Sequence, residues 1–192
     1  MNEPHDILQR AIADARASLE KVGGLQQQIA HAADLISDCL AGGGKLLVCG
    51  NGGSAADGAD FATEFACRFA EDRRPYPAIN LATGASLLTA TANDYGFDEV
   101  FARQIRAFAG AGDVLIAIST SGRSQNICRA LAEAKSLGVA TIALLGRDGS
   151  DCRGLANVEM IAPGNSTARI QEMHKFLLHV LCEIAETRLP RS

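Results

Sequence analysis

The chain has 192 residues, 47% of them hydrophobic and 21% charged, with a formal net charge of −4. That length fits one domain with a substantial core, and the composition carries no disordered bias. The acidic balance argues against nucleic-acid binding, which needs a basic patch, and no apolar run approaches the ~20 residues that span a bilayer.

From the first residue the pattern is polar and acidic, Met1-Asn2-Glu3-Pro4-His5-Asp6, unlike a signal peptide. Residues 5–42 read as one or two helices, interrupted at Gly23-Gly24 and stopped by Gly42-Gly43-Gly44. Lys45–Gly50 is predicted as a strand and Ser54–Phe69 as the helix after it. The charged stretch 71–75 is a loop, and Ala78–Leu81 a strand. A helix over 86–92 leads into Asn93-Asp94-Tyr95-Gly96, and a second helix covers 98–108. Then come strand Val114–Ile118, helix Ser124–Leu137, strand Ala140–Leu145, strand Val158–Ile161 and the closing helix Thr167–Leu189. Strands separated mostly by helices predict an α/β fold, a three-layer sandwich around a five-stranded parallel sheet. The unbroken apolar runs fit strands covered on both faces. Cysteines stand at 39, 49, 67, 128, 152 and 182, with no C-x-x-C pair. They read as reduced core thiols of a cytoplasmic protein.

Two strand ends carry similar loops. Leu46–Cys49 runs into Gly50-Asn51-Gly52-Gly53-Ser54, and Val114–Ile118 into Ser119-Thr120-Ser121-Gly122-Arg123-Ser124. Backbone amides and the positive dipole end of a helix suit a phosphate, glycine permits close approach, and hydroxyls add donors. In such sheets ligands bind at the carboxyl edge, where both loops emerge. Neither G-x-G-x-x-G nor G-x-x-x-x-G-K-[ST] is present, which disfavours dinucleotide and Walker-type nucleotide binding.

In the helix after the first loop, Asp57, Asp60, Glu64 and Arg68 are spaced for one face. The stripe reads either as a solvated face with a Glu64–Arg68 pair, or as a base or metal ligand at the mouth of the anion site. The closing helix carries Gln171, His174 and His179. At ~100° per residue the two histidines project about 140° apart, so they do not ligate one metal together. His179 reads either as a core histidine on an apolar helix or as an acid–base group.

Four blocks carry a family resemblance: Gly50-Asn51-Gly52-Gly53-Ser54-Ala55-Ala56-Asp57, Asn93-Asp94-Tyr95-Gly96, Ile118-Ser119-Thr120-Ser121-Gly122-x-Ser124 and Arg169-Ile170-Gln171-Glu172-x-His174. Together, in order along the chain, they resemble the phosphoheptose isomerases among the sugar isomerase (SIS) domains. The resemblance implies a single SIS domain, residues 1–42 being a helical extension that packs in an oligomer and 43–192 the core. It implies a homotetramer with sites at subunit interfaces, converting sedoheptulose 7-phosphate to D-glycero-D-manno-heptose 7-phosphate through an enediol. Ser119, Thr120, Ser121 and Ser124 would hold the phosphate. Asn51, Gly52, Gly53, Ser54, Arg68, Asn93, Asp94 and Gln171 would complete the substrate site. Glu64 would shuttle the proton and His179 would support it.

The resemblance also implies zinc, with Asp60, Glu64, Gln171 and His179 as its ligands. Asp60 stands where a histidine is expected, which adds negative charge and hardens the site. Ala168 stands where some relatives carry an acidic residue. Two rivals are a non-catalytic SIS protein that binds a replication-initiator partner, and a sugar-phosphate-sensing regulatory domain. The presence of both Glu64 and His179 favours the enzyme over the first. The second lacks an attached domain to regulate.

Overall fold

In the computed structural model, which describes residues 3–190, the predicted helical N-terminus is a pair. Helix α1 (Pro4–Val22) and helix α2 (Gln26–Ala41) are joined by a single 3-10 turn over Gly23–Leu25. The core follows as β1 (Leu46–Gly50), α3 (Gly53–Ala66), β2 (Ala78–Asn80), α4 (Ala85–Tyr95), α5 (Ala102–Phe108), β3 (Val114–Ser119), α6 (Gln125–Ser136), β4 (Ala140–Leu145), β5 (Val158–Ile161) and α7 (Thr167–Arg188). Met1 and Asn2 of the polar N-terminal stretch lie outside the described residues.

All strand pairs are parallel, in the order β2-β1-β3-β4-β5. Alternating side chains divide the core into two layers. Leu46, Val48, Ile116, Ile118, Ile142 and Leu144 pack under α2, α3 and α7, while Leu47, Cys49, Leu115, Ala117, Ala143 and Leu145 pack under α5 and α6. Both layers are buried and apolar, which accounts for strands without polar alternation. Five of the cysteines are buried free thiols, whereas Cys67 is exposed just beyond α3.

The two N-terminal helices differ in kind. Ala32, Ala33, Ile36 and Leu40 of α2 are buried, so α2 belongs to the core layer rather than to an extension. Helix α1 buries only Ser18 and Val22 and leaves Ile7, Leu8, Ile12 and Leu19 exposed, within one stripe.

Three predicted boundaries move. Helix α3 stops at Ala66, because Cys67 leaves helical geometry at φ −108° and ψ −96°. Helix α4 runs through Asn93 and Asp94 to Tyr95, and Gly96 stops it at φ 88°. The helix predicted over 98–108 is a 3-10 turn at Phe97–Glu99 followed by the shorter α5.

Candidate active site

The strand order reverses between β1 and β3, whose carboxyl ends deliver the two glycine- and serine-rich loops. This is the topological switch point, where open α/β sheets hold ligands. The loops are tied by a reciprocal amide pair, with Asn51 Nδ2 donating to Asn126 Oδ1 and Asn126 Nδ2 donating to Asn51 Oδ1, both at 2.9 Å. Asn126 is buried on the first turn of α6 and is missing from the sequence-predicted site. Asn51 therefore spends much of its amide on holding the loops together. In the second loop the Ser119 hydroxyl accepts from the Gly122 amide at 3.1 Å and lies 3.4 Å from the Ser124 hydroxyl. Gly122 sits at φ 66°, and a Cβ there would stand 2.2 Å from the Gly149 carbonyl oxygen. Ser119 is buried, while Thr120, Ser121 and Ser124 are half-buried at the start of α6. The result is a hydroxyl-lined cradle facing the unpaired amides of a helix first turn, the arrangement an anion needs.

Helix α3 leaves the first loop beside α7. A Cβ on Gly53 would stand 2.3 Å from the Gln171 amide nitrogen, so any side chain there would push the Gln171 amide out of its present place. Gln171 Nε2 donates to Asp57 Oδ2 at 3.0 Å. Lys175 Nζ pairs with Asp60 Oδ2 and lies 3.6 Å from Asp57 Oδ1. Burial works against the Lys175 charge, but Asp60 and Asp57 outweigh it and raise its pKa above the ordinary lysine value. Asp57, Ala168, Gln171, Glu172 and Lys175 line a pocket of about 330 Å³. The sequence reading passed over Lys175, although Gln171, Lys175 and His179 follow one another at helical i, i+4 spacing.

The two helices run parallel, Asp57 level with Gln171 and Asp60 with Lys175. Glu64 continues that register and acts electrostatically on Cys182, one turn beyond His179. Its side chain is half-buried and makes no hydrogen bond or ion pair among the described residues. His179 is exposed, its ring 5.9 Å from that of Phe69. The core histidine is instead His174, wholly buried. The Leu145 carbonyl and the Asp57 carboxylate lie close to its ring, but neither nitrogen has a partner in hydrogen-bonding geometry. Burial dominates and pushes its pKa down to about 4. The folded state thus keeps His174 neutral while the unfolded chain takes up a proton below about pH 6.5. Stability should be complete above that pH and fall by up to roughly 3 kcal/mol as pH drops toward 4. Urea unfolding across this window should show the slope in the wild type and lose it in His174→Gln; equal slopes would contradict this assignment.

Three predicted site residues stand apart. Arg68 is not on the acidic face, because α3 has already ended; its exposed guanidinium donates to the Ala70 carbonyl at 3.0 Å, and no Glu64–Arg68 pair forms. Asn93 and Asp94 are exposed on α4, joined only by an Asn93 Nδ2 to Asp94 Oδ1 bond of 2.8 Å.

A buried clasp fixes the far end of the helix pair. Arg73 Nε lies 3.3 Å from Glu186 Oε1, and its guanidinium donates to the carbonyls of Glu64 and Phe65. Burial alone would raise the Glu186 pKa, yet the amides of Glu71, Ala70 and Phe69, together with Arg73, lower it.

As a donor set for zinc, Asp60, Glu64, Gln171 and His179 fit poorly. Asp60 is neutralised by an ammonium, the Gln171 amide is turned to Asp57, and His179 lies about two turns beyond Gln171 along α7. Among the described residues no three His, Cys, Asp or Glu side chains converge as a metal site.

The comparisons with known proteins agree with this fold. Residues 12–146 match the SIS domain family. A phosphoheptose isomerase of Geobacter sulfurreducens is 48% identical over 181 residues, covering 92% of this chain and 96% of the relative. Solved structures of phosphoheptose isomerases from Neisseria gonorrhoeae and Francisella tularensis superpose with TM-scores of 0.89 and 0.91. Their identities are 38% and 36%, covering 96% and 97% of this chain and the whole of each of theirs. Fold and switch-point loops together define a SIS-domain protein. Within that class, the chain belongs to the phosphoheptose isomerase family.

Proposed function

We propose that the chain isomerises sedoheptulose 7-phosphate to D-glycero-D-manno-heptose 7-phosphate, the step that opens nucleotide-activated heptose synthesis. The observation that carries this reading is an uncommitted carboxylate, Glu64, on the helix that leaves the first switch-point loop and packs against the His179 helix, in a chain nearly half identical to a named phosphoheptose isomerase.

Ser119, Thr120, Ser121 and Ser124 take the phosphate, helped by the dipole of α6. Gly52, Gly53 and Ser54 line the sugar, and the Asn51–Asn126 pair sets the distance between the loops. Glu64 removes a proton from C1, the C–H electrons form the C1=C2 bond, and the C2 carbonyl oxygen takes up a proton to give the enediol. Return of the proton to C2, with loss of the O1 proton, leaves the aldose. His179 assists ring opening and relays protons between O1 and O2. Run to equilibrium in D2O and followed by NMR, repeated turnover should build solvent deuterium into C2 of the aldose and C1 of the ketose, as the proton held on Glu64 exchanges between its removal and its return. No deuterium in either sugar after many turnovers would point to direct hydride transfer and contradict the enediol route.

The chain works as a cytoplasmic homotetramer with sites completed between subunits. Support comes from α1, whose apolar stripe is left exposed among the described residues, and from Asn93 and Asp94, which need a covering neighbour to act on substrate. No described helix is long and apolar enough to cross a membrane. Light scattering should give four times the 20.1 kDa chain mass, and Ile12→Asp should lower it with the helical signal kept. An unchanged mass in that variant would overturn the role of α1. The partner-binding alternative is disfavoured because Glu64 and His179 are both present and the close relatives carry an enzyme's name.

A further inference from the structure

Helices α3 and α7 present facing stripes, Asp57, Asp60 and Glu64 against Gln171, Lys175 and His179. The middle residue of the second stripe is a cation. Its ammonium is held by Asp60 and lies 3.6 Å from one Asp57 oxygen, while the other Asp57 oxygen takes the Gln171 amide. The Lys175 side chain is 30% exposed and its tip borders the pocket with Gln171 and Ala168. A divalent ion on Asp60 and Gln171 would have to displace this ammonium or sit beside it, and like charges at such distances repel strongly.

We propose that Lys175 is the resident cation of this site, doing for the enediolate oxygen what a divalent metal would otherwise do, so that the chain turns over without metal. The proposal rests on the isomerase reading for its chemistry, though not for its metal prediction. As the C1 proton leaves, negative charge builds on the substrate oxygens. An ammonium already oriented by two carboxylates stabilises that charge without reorganising, and it keeps its own proton throughout. The competing view is a plain helix-to-helix ion pair, which at this exposure contributes little to stability.

The test uses the full chain, with zinc content after equilibration and dialysis measured beside turnover. Wild type should retain less than about a tenth of a zinc per chain and keep its rate in chelator. Lys175→Met should lose kcat by about 100-fold, as for removal of one charge-stabilising group, with the melting temperature little changed. Lys175→Arg should recover most of that loss. Lys175→Met combined with Asp60→His should retain about one zinc per chain. One zinc in the wild type, needed for turnover, would overturn the proposal, and so would a Lys175→Met enzyme with unchanged kcat. If the wild type turns over no sedoheptulose 7-phosphate, the isomerase reading fails instead, and the zinc contents of wild type and double variant still decide whether Lys175 fills the metal position.

Discussion

Glu64→Gln should lose kcat by roughly 10³-fold, inside the 10² to 10⁴ range for loss of an acid–base group, with KM changed little. In free energy that is about 4 kcal/mol of transition-state stabilisation. The amide is nearly isosteric with the carboxylate, and the Glu64 side chain holds no hydrogen bond or ion pair among the described residues, so the fold has nothing to lose. Its backbone is fixed independently, because the Arg73 guanidinium takes the Glu64 carbonyl. A rate loss with an unchanged melting curve therefore reports chemistry. His179→Ala should cost less, about 10²-fold, since it assists a step that Glu64 carries. Wild-type turnover in Glu64→Gln would remove Glu64 from the mechanism. Steady-state kinetics on both variants decides.

The second large effect is on stability. Arg73 and Glu186 are both buried, and the pair ties the segment after α3 to the last turns of α7. Arg73→Met leaves the Glu186 carboxylate without its cation and the Glu64 and Phe65 carbonyls without their donor. Breaking one side of a buried pair costs about 3–5 kcal/mol, and in a chain of this size that lowers the melting temperature by roughly 10 °C. Adding Glu186→Gln should recover part of the loss, because the second change removes the stranded charge. A double variant as unstable as the sum of the singles would deny the coupling. The pH dependence has a definite sign. The folded pKa of Glu186 is lowered, so its contribution is present above the unfolded glutamate value and is lost as pH falls through the folded value. Arg73→Met should therefore be less acid-sensitive than the wild type in urea unfolding below about pH 4.

Much of this was legible in the sequence. Buried strands announce themselves as unbroken apolar runs, so β4 and β5 fall where Ala140–Leu145 and Val158–Ile161 put them. The Gly/Ser loops are local chemistry, and both lie at the switch point. Contacts between distant segments were not legible. Asn126 looks like any helix-start asparagine until Asn51 is placed opposite it. Arg73 sits in a charged loop, and only the fold pairs it with a glutamate 113 residues away. His174 and His179 share a helix, and which one faces the core depends on the position of α7 over the sheet, so the core role first read for His179 falls to His174. Lys175 was hidden in another way. Its spacing was visible, but its meaning needed Asp57 and Asp60 brought across from α3.

The central claim is that the switch-point loops and the α3–α7 helix pair form an isomerase site whose proton passes through Glu64. It is tested most directly by incubating purified wild type and Glu64→Gln with sedoheptulose 7-phosphate and quantifying the heptose aldose formed. The account predicts steady aldose formation by the wild type and roughly a thousandth of that rate in Glu64→Gln. No aldose from the wild type, with or without added zinc, or equal rates in the two proteins, would contradict it.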